Sequence, residues 1–175
     1  MKYYLNTANL RENLGVLRAG DELYLSGTVY CARDAAHKRI VSLINENKET
    51  PFPIKDAVIY YCGPTPAKPG TVIGSAGPTT SSRMDAFMPL LLEKGLLATV
   101  GKGGRSKTVN EEMKKHGAIY LAAMGGAGAI AAKCITECEV IAFSELGCES
   151  VKKMCFKDFP LIVGNDIYGI SIFGN

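Results

Sequence analysis

Arg33, Arg83 and Lys102 each lie in a short polar loop together with glycine or hydroxyl residues. The loop before Arg83 also contains Thr79 and Thr80. Each loop follows a predicted strand, and if the loops converge, two guanidinium groups, one ammonium group, backbone N–H groups and a threonine hydroxyl surround one space. Such a set suits a small molecule with two carboxylates. The loops comprise residues 31–34, 77–83 and 101–104.

Each loop taken alone has a simpler interpretation. Thr80, Ser81 or Ser82 would cap the helix that follows, and the cations would be solvated surface charges. All three cations nevertheless lie between a predicted strand and a predicted helix. Helix N-termini offer free N–H groups and a favourable dipole to anions. We therefore predict an anion site at the carboxyl ends of the strands.

The elements that must position these loops alternate between short apolar runs and segments with helical spacing, which predicts an α/β fold in which helices pack on a mixed sheet. Thr108 and Glu111 are predicted to form a capping box, and Gly95 to end the helix that follows Arg83. The predicted strands are 22–30, 57–62, 71–76, 96–100, 118–124, 139–143 and 161–164, and the predicted helices include 34–47, 126–134 and 149–155.

Composition narrows the class of protein. The 175 residues are 47% hydrophobic, enough for one domain over 1–175 with its own core. The net charge of +3 comes from 20 basic and 17 acidic residues without a basic block, so nucleic acid is not an expected partner. The longest uncharged run, 117–132, is interrupted by glycines and is shorter than a membrane span.

Six cysteines occur without an apolar signal segment, which favours free thiols in a reducing compartment and hence the cytoplasm. Their spacing does not resemble that of a zinc site, and both histidines are distant in sequence, so we expect no metal site made by this chain alone. The cysteines are Cys31, Cys62, Cys134, Cys138, Cys148 and Cys155.

A rival signal lies at Gly126–Ala131, which matches G-x-G-x-x-A after a predicted strand, with Glu145 where a ribose-binding acid would lie. It would make the chain a nucleotide-binding regulatory module. The motif comes late in the chain, however, with little sequence left to complete a nucleotide fold. A close helix-to-sheet contact that only small residues permit is the favoured interpretation.

Asp34 and His37 are i, i+3 neighbours at the start of the helix that follows Arg33. The ordinary interpretation of this spacing is a surface pair on the helix.

Several segments together resemble one family, the β subunit or carboxy-terminal domain of the class I iron-sulfur hydro-lyases, which comprise fumarate hydratase and L-tartrate dehydratase. Residues 25–38 read LSGTVYCARDAAHK, residues 60–70 read YYCGPTPAKPG, residues 77–85 read GPTTSSRMD and residues 101–103 read GKG. The likeness spans nearly the whole chain. The segments 64–70 and 83–85 are more similar to fumarate hydratase than to tartrate dehydratase.

The resemblance implies a domain of the swivelling β/β/α type and a [4Fe-4S] cluster held by three cysteines of a separate α subunit. It implies a hetero-oligomer with that subunit, with a homodimer as the alternative for the isolated chain. The substrate would be a dicarboxylate: fumarate and malate, or tartrate.

Carried over by position, Arg33, Arg83 and Lys102 resemble carboxylate clamps, Thr80 a further substrate-binding residue, and Thr79 the group that takes the C3 proton. A threonine hydroxyl needs nearby cations to act as a base. The alternative is that Asp34, His37 or Asp85 relays the proton while Thr79 only orients the substrate. The segment 164–169 departs from the family's ending, which leaves the tail without an assigned role.

Overall fold

A computed structural model describes residues 1–124, 126 and 128–174. It contains a seven-stranded mixed sheet with helices packed against it, which confirms the predicted α/β class. The strands are β1 (Lys2–Asn6), β2 (Glu22–Cys31), β3 (Val58–Tyr60), β4 (Ala98–Gly101), β5 (Ile119–Ala122), β6 (Ile135–Ala142) and β7 (Val151–Asn165). The α-helices are α1 (Leu10–Asn13), α2 (Asp34–Asn45), α3 (Met88–Glu93), α4 (Lys107–His116) and α5 (Gly128–Lys133), and 3₁₀ turns cover Thr7–Asn9, Ser81–Phe87 and Ser144–Glu149.

Most of the sheet closes on itself. The strand order is β1-β2-β3-β4-β5-β7-β6, and an additional pairing of β2 with β7 closes β2, β3, β4, β5 and β7 into a barrel. β2 to β5 are parallel neighbours, whereas β7 runs antiparallel to both β2 and β5. The carboxyl ends of β2, β3, β4 and β5 therefore meet at one end of the barrel, where the three cation-bearing loops lie.

The long strand β7 corrects the sequence analysis. The helix predicted over 149–155 is wrong, because Val151 begins a 15-residue strand that pairs with β2, β5 and β6. Val151, Met154 and Phe156 are buried. Pairing on both sides satisfies the backbone of this segment and buries its apolar side chains together, which outweighs a local helical pattern.

The strand predicted over 71–76 is also wrong, because this stretch is a loop. Thr65 N–H donates to Ser75 O at 3.0 Å and Gly74 N–H donates to Thr65 O at 3.2 Å, so the loop folds on itself. The helix predicted after Arg83 divides into the turn Ser81–Phe87 and α3, with Gly95 at φ +89° closing it as expected.

The cap of α4 lies two residues earlier than predicted. Ser106, not Thr108, is its N-cap, and the Ser106 hydroxyl accepts from Val109 N–H at 3.4 Å. Gly117 ends the helix in the left-handed conformation at φ +64°.

Two apolar cores hold the loops in place. One fills the barrel with alternate residues of β2, β4 and β7, including Leu23, Leu25, Val100, Phe156 and Val163. The other lies between the barrel and α2, α3 and α4, and includes Ile40, Ile59, Tyr61, Leu91 and Met113. Each fully buried Leu or Ile contributes roughly 1.5–3 kcal/mol. Within the described ranges, every helix is too short or too polar to cross a membrane.

Candidate anion-binding site at the carboxyl ends of the barrel strands

Arg33 and Arg83 meet on one carboxylate. Arg33 follows β2 and places Nε 3.2 Å from Asp34 Oδ2. Arg83 lies in the turn Ser81–Phe87, and both its Nε and Nη2 atoms are 3.0 Å from Asp34 Oδ1. The two predicted loops therefore converge, with Asp34 between the guanidinium groups.

Asp34 is charged in this setting. Partial burial by itself would raise the pKa of the carboxyl group, but a backbone hydrogen bond and the guanidinium groups of Arg33 and Arg83 lower the pKa below its usual value. Its charge compensates two cations at once.

Glu149 is a second carboxylate of the cluster that the sequence analysis missed. Its Oε1 lies 3.2 Å from Arg33 Nε and accepts from Ala35 N–H at 3.4 Å. Glu149 ends the turn Ser144–Glu149, and Ser150 separates it from the start of β7. No local sequence pattern marks it, because β7 brings this turn to β2 only through the closure of the barrel.

Backbone hydrogen bonds hold the segment with Thr79 and Thr80 beside Lys102. Thr79 N–H donates to Tyr61 O at 2.6 Å, Lys102 N–H donates to Thr79 O at 3.2 Å, and Ser81 N–H donates to Lys102 O at 2.9 Å. Thr80 and Lys102 form an isolated parallel bridge, and both side chains are exposed. These hydrogen bonds form a backbone ladder that extends the sheet beyond β4. The ladder fixes the order of these side chains along the rim of the barrel, by which we mean the end formed by the carboxyl ends of β2 to β5.

Gly101 is required by this close approach. A Cβ atom at this position would lie 2.0 Å from Ser81 Oγ and 3.0 Å from the Tyr61 ring. Gly63 has a comparable role beside the first loop, since its Cβ would lie 2.8 Å from Arg33 Nη1. Glycine at both positions lets the backbone approach the cationic cluster.

A buried polar layer supports the rim from below. The Arg105 guanidinium contacts the Tyr61 hydroxyl and Asp85, while the Tyr120 hydroxyl accepts from Ser81 Oγ at 2.9 Å. Burial raises the pKa of Tyr120 to about 12, so its hydroxyl keeps its proton and donates to Gly103 O at 2.7 Å. Arg105 is not among the site residues predicted from the sequence, although it directly follows the glycine-rich segment 101–104.

His37 does not form the surface pair expected from its spacing to Asp34. The ring is 0% exposed and lies between Tyr61 and Phe87, with centroid distances of 5.4 and 5.6 Å. Its Nδ1, in the tautomer that carries the proton there, donates to Arg33 O at 2.9 Å. Burial lowers the pKa of His37 to about 4, so the ring is neutral at neutral pH and supports the backbone of Arg33.

The glycine motif at Gly126–Ala131 is packed against a loop. Ala127 lies outside the described residues. A Cβ atom on Gly128 would lie 2.3 Å from Ser75 Oγ and 3.1 Å from Gly77 N, and Ala76 N–H donates to Gly128 O at 3.1 Å. The small residue thus permits a close contact, with the loop before Thr79 instead of the sheet.

Two cavities of 610 Å³ each lie away from the cationic cluster. One is at the amino ends of β3 and β4, and the other lies between the loop 65–75 and α5. Neither is lined by Arg33, Arg83 or Lys102. The cluster is an open surface, with the Arg83 side chain 51% exposed.

The ligand types for a metal are dispersed over the described part of the chain. No three His, Cys, Asp or Glu side chains are grouped there as they would be around an ion. Cys31 and Cys62 are buried beside each other, with the Cys31 thiol donating to Cys62 O at 3.0 Å, whereas Cys148 is exposed. These positions do not fit the ligand set of an iron-sulfur cluster, which needs converging thiolates.

The whole chain matches a known family model. The model for the Fumarase C-terminus covers residues 1–175. Fumarate hydratase 2 of Leishmania major is 40% identical over 170 residues, which are 93% of this chain and 30% of that protein. The anaerobic class I fumarate hydratase of Escherichia coli K12 is 40% identical over 153 residues, 83% of this chain and 28% of the relative.

A shorter relative matches along nearly its entire length. A Methanocaldococcus jannaschii protein named as the beta subunit of an L(+)-tartrate dehydratase is 36% identical over 179 residues, 99% of this chain and 91% of the relative. The chain therefore spans less than a third of the fumarate hydratases cited above but most of the length of this subunit. On both the family model and this relative, the chain belongs to the Fumarase C-terminus family.

Proposed function

We propose that this chain is the β subunit of a class I fumarate hydratase, which hydrates fumarate reversibly to S-malate together with an α subunit. The observation that carries the proposal is the meeting of Arg33 and Arg83 on Asp34, at the same rim as Lys102, in a member of this family. A dianionic C4 acid matches such a set of cations.

In the proposed binding mode, the substrate carboxylates contact guanidinium groups that carboxylates of this chain already orient. Asp34 and Glu149 hold the Arg33 side chain in place, and Asp34 also holds Arg83, so both guanidinium groups are oriented before the substrate arrives. The substrate carboxylates would bind Arg33, Arg83 and Lys102, with Thr80 as a further donor. Preorganised cations of this kind also stabilise the charge that develops when the C3 proton leaves.

Thr79 is the proposed acceptor of that proton. Its backbone N–H and carbonyl are both bonded within the ladder, which holds its side chain beside Lys102. Lys102 and Arg83 would stabilise the alkoxide. Asp34 is the charged alternative as the proton relay. His37 is less suited because its Nδ1 is bonded to Arg33 O and its ring is buried, and Asp85 because it is bound to Arg105.

The remainder of the enzyme would come from the α subunit. The fumarate hydratases that the chain resembles are more than three times its length. The group of Arg33, Arg83 and Lys102 is open to solvent, so a second protein surface is needed to exclude water from the substrate. We place the [4Fe-4S] cluster and its three cysteine ligands on that partner, and propose a hetero-oligomer. This chain contributes the carboxylate clamps and the proton acceptor.

The decisive test is an anaerobic assay of the chain combined with its α subunit and a reconstituted cluster. S-malate, fumarate and tartrate are supplied separately. We expect rapid interconversion of malate and fumarate, little turnover of tartrate, and none by this chain alone. Negligible turnover of malate alongside rapid turnover of tartrate would contradict the proposal.

L-tartrate dehydratase is the second candidate function. The observation that favours it is the match to a beta subunit over 91% of that protein's length, which is the same division into subunits. In that case tartrate would be converted to oxaloacetate by the same residues. The assay above separates the two candidates by substrate.

A nucleotide-binding regulatory module is the non-enzymatic alternative. Tight binding of a dinucleotide in calorimetry, abolished by replacement of Gly126 with a bulky residue, would favour it.

We also propose that residues 1–175 act as one domain in the cytoplasm.

A further inference from the structure

Arg105 is a buried cation directly beneath the candidate site. Its side chain is 0% exposed, Nη1 donates to the Tyr61 hydroxyl at 3.1 Å, and Nε lies 2.8 Å from Asp85 Oδ1. The Tyr61 hydroxyl in turn donates to Met88 Sδ at 3.2 Å. A guanidinium group so far from water needs a physical explanation, because burial of a charge is unfavourable unless it is fully compensated.

The ion pair ties together the two loops that carry Arg83 and Lys102. Asp85 lies two residues after Arg83, in the same turn, and Arg105 lies three residues after Lys102. Asp85 Oδ2 also accepts from the backbone N–H of Ser106 at 2.8 Å. One carboxylate therefore holds the side chain of Arg105 and the backbone of the next residue, which restrains the second loop at two points.

A second tie runs parallel to the first. The Tyr120 hydroxyl connects Ser81 Oγ to Gly103 O, again from the Arg83 turn to the Lys102 loop. The centre of the Arg105 guanidinium lies 5.3 Å from the Tyr61 ring centroid and 5.5 Å from that of Tyr120. Arg105 is thus held against both rings, which restrict the position of its guanidinium group.

Stability alone does not account for this arrangement. Arg105 Nη2 is buried without a hydrogen-bond partner among the described atoms, and the contact with Asp85 falls short of linear hydrogen-bond geometry. An apolar pair of similar volume would avoid these costs. What such a pair could not provide is a directional link between the two loops.

From these contacts we infer that Arg105, with Asp85, is a positioning residue that sets the distance between the Arg83 and Lys102 cations and so the fit of a dicarboxylate. The inference rests on the proposed function as far as the substrate is concerned. Arg105 acts through the two loops and does not touch the substrate.

The first measurement is steady-state kinetics of the complete α/β enzyme with S-malate. We expect KM to rise about tenfold or more in Arg105→Met. The rise should be smaller in Arg105→Lys, because lysine keeps a positive charge beside Asp85 but lacks the planar guanidinium group with its fixed hydrogen-bond donors. Asp85→Asn should resemble Arg105→Met, and it serves as the second variant if Arg105→Met does not fold. Leu10→Ala is the control for general destabilisation, since Leu10 is 0% exposed and lies in the barrel core.

The second measurement is amide hydrogen exchange on this full chain, which needs no turnover. In Arg105→Lys and Asp85→Asn the amides of Lys102 and Ser81 should exchange faster, while those of β2 and β7 stay protected. A KM within twofold of wild type in all folded variants, or an equal rise of KM in Leu10→Ala, overturns the inference, as does faster exchange spread evenly over the barrel. Wild-type enzyme without malate turnover would instead count against the proposed function, with the exchange pattern still deciding the role of Arg105.

Discussion

A single carboxylate, that of Asp34, compensates both guanidinium groups of the candidate site. Glu149 adds a second contact to Arg33, so three cations at the rim, including Lys102, stand against two anions. A dianionic ligand must compete with these internal partners. The internal carboxylates hold the arginines in a narrow range of orientations, which reduces the entropy lost when a ligand binds.

Replacement of Arg83 tests its proposed contact with a substrate carboxylate. We expect Arg83→Ala to lower kcat/KM for S-malate by about 100-fold or more in the complete enzyme, because a charge-assisted contact to a carboxylate is lost. The melting temperature should be nearly unchanged, since the side chain is 51% exposed. Arg11→Ala is the matched control, as its side chain has the same exposure and pairs with Asp56 outside the site. Equal losses in both variants would contradict the assignment.

His37 makes the stability of the fold depend on pH. Its pKa is lowered from 6.5 to about 4, chiefly by burial, so between these values the unfolded chain binds a proton that the native chain does not. Stability is therefore complete above pH 6.5 and falls as the pH decreases towards 4, by about 3 kcal/mol in total.

The measurement is urea unfolding of wild type and His37→Gln at pH 7 and pH 4.5. We expect the difference in free energy of unfolding between the two proteins to shrink by about 2 kcal/mol at the lower pH, because only wild type loses stability through this group. A difference that is independent of pH would refute the buried neutral state of His37.

At the level of elements, short extensions of the parallel strands form the site. Beyond β3 and β4 the chain continues as a backbone ladder through Thr79 and Lys102, and Gly101 allows the turn Ser81–Phe87 to approach it. The turn before β7 lies beside the end of β2 and places Glu149 against Arg33. The rim is thus held by backbone bonds and by one buried layer of side chains.

The close packing at Gly101 is open to a rescue experiment. Gly101→Ala should destabilise the fold by about 1–3 kcal/mol, since the new Cβ would lie 2.0 Å from Ser81 Oγ. Adding Ser81→Ala removes that oxygen and should restore part of the lost melting temperature, although the hydrogen bond to Tyr120 is lost as well. A double variant that is less stable than the sum of both single changes would show that the clash is not the cause.

Lys152 holds the turn that carries Glu149. Its buried ammonium group donates to Ser150 Oγ at 2.8 Å and to the carbonyls of Gly147, Cys148 and Ser150 at 3.1–3.3 Å. We expect Lys152→Met to lower the free energy of unfolding by about 2–4 kcal/mol, because these acceptors lose their donor. Thermal unfolding against Lys153→Met, an exposed neighbour, provides the matched comparison, and equal stability of the two variants would exclude this role.

For the whole molecule, closure of the barrel by β7 couples distant parts of the chain. β7 pairs with β2, β5 and β6, so the last third of the sequence shares one core with the first. Barrel closure also protects the edges that β2 and β5 would otherwise expose.

This coupling predicts cooperative unfolding of residues 1–175. Urea transitions followed by far-UV circular dichroism and by tyrosine fluorescence should coincide, since the strands share one core and the chain contains 8 tyrosines and no tryptophan. Two separated transitions would argue against a single domain.

The sequence by itself determined which residues carry the cations of the candidate site and which residues adjoin them in the chain. Arg33 before a helix, Arg83 after two threonines and Lys102 between glycines are recognisable because each pattern is local, and the loops of Arg33 and Lys102 directly follow β2 and β4. The same locality identified β2, β4 and α2, whose periodicity reports burial directly.

Only the tertiary structure decided what lies between and beneath those cations. Glu149 and Arg105 reach the site through barrel closure and through a buried contact with Asp85, and neither leaves a pattern in nearby residues. The segment 149–155 has a local helical pattern, and its strand partners, β2 and β6, lie elsewhere in the sequence. His37 likewise has a helical spacing to Asp34, but the rings of Tyr61 and Phe87 cover it. Pairing and burial are long-range quantities, so they override local propensity where the two disagree.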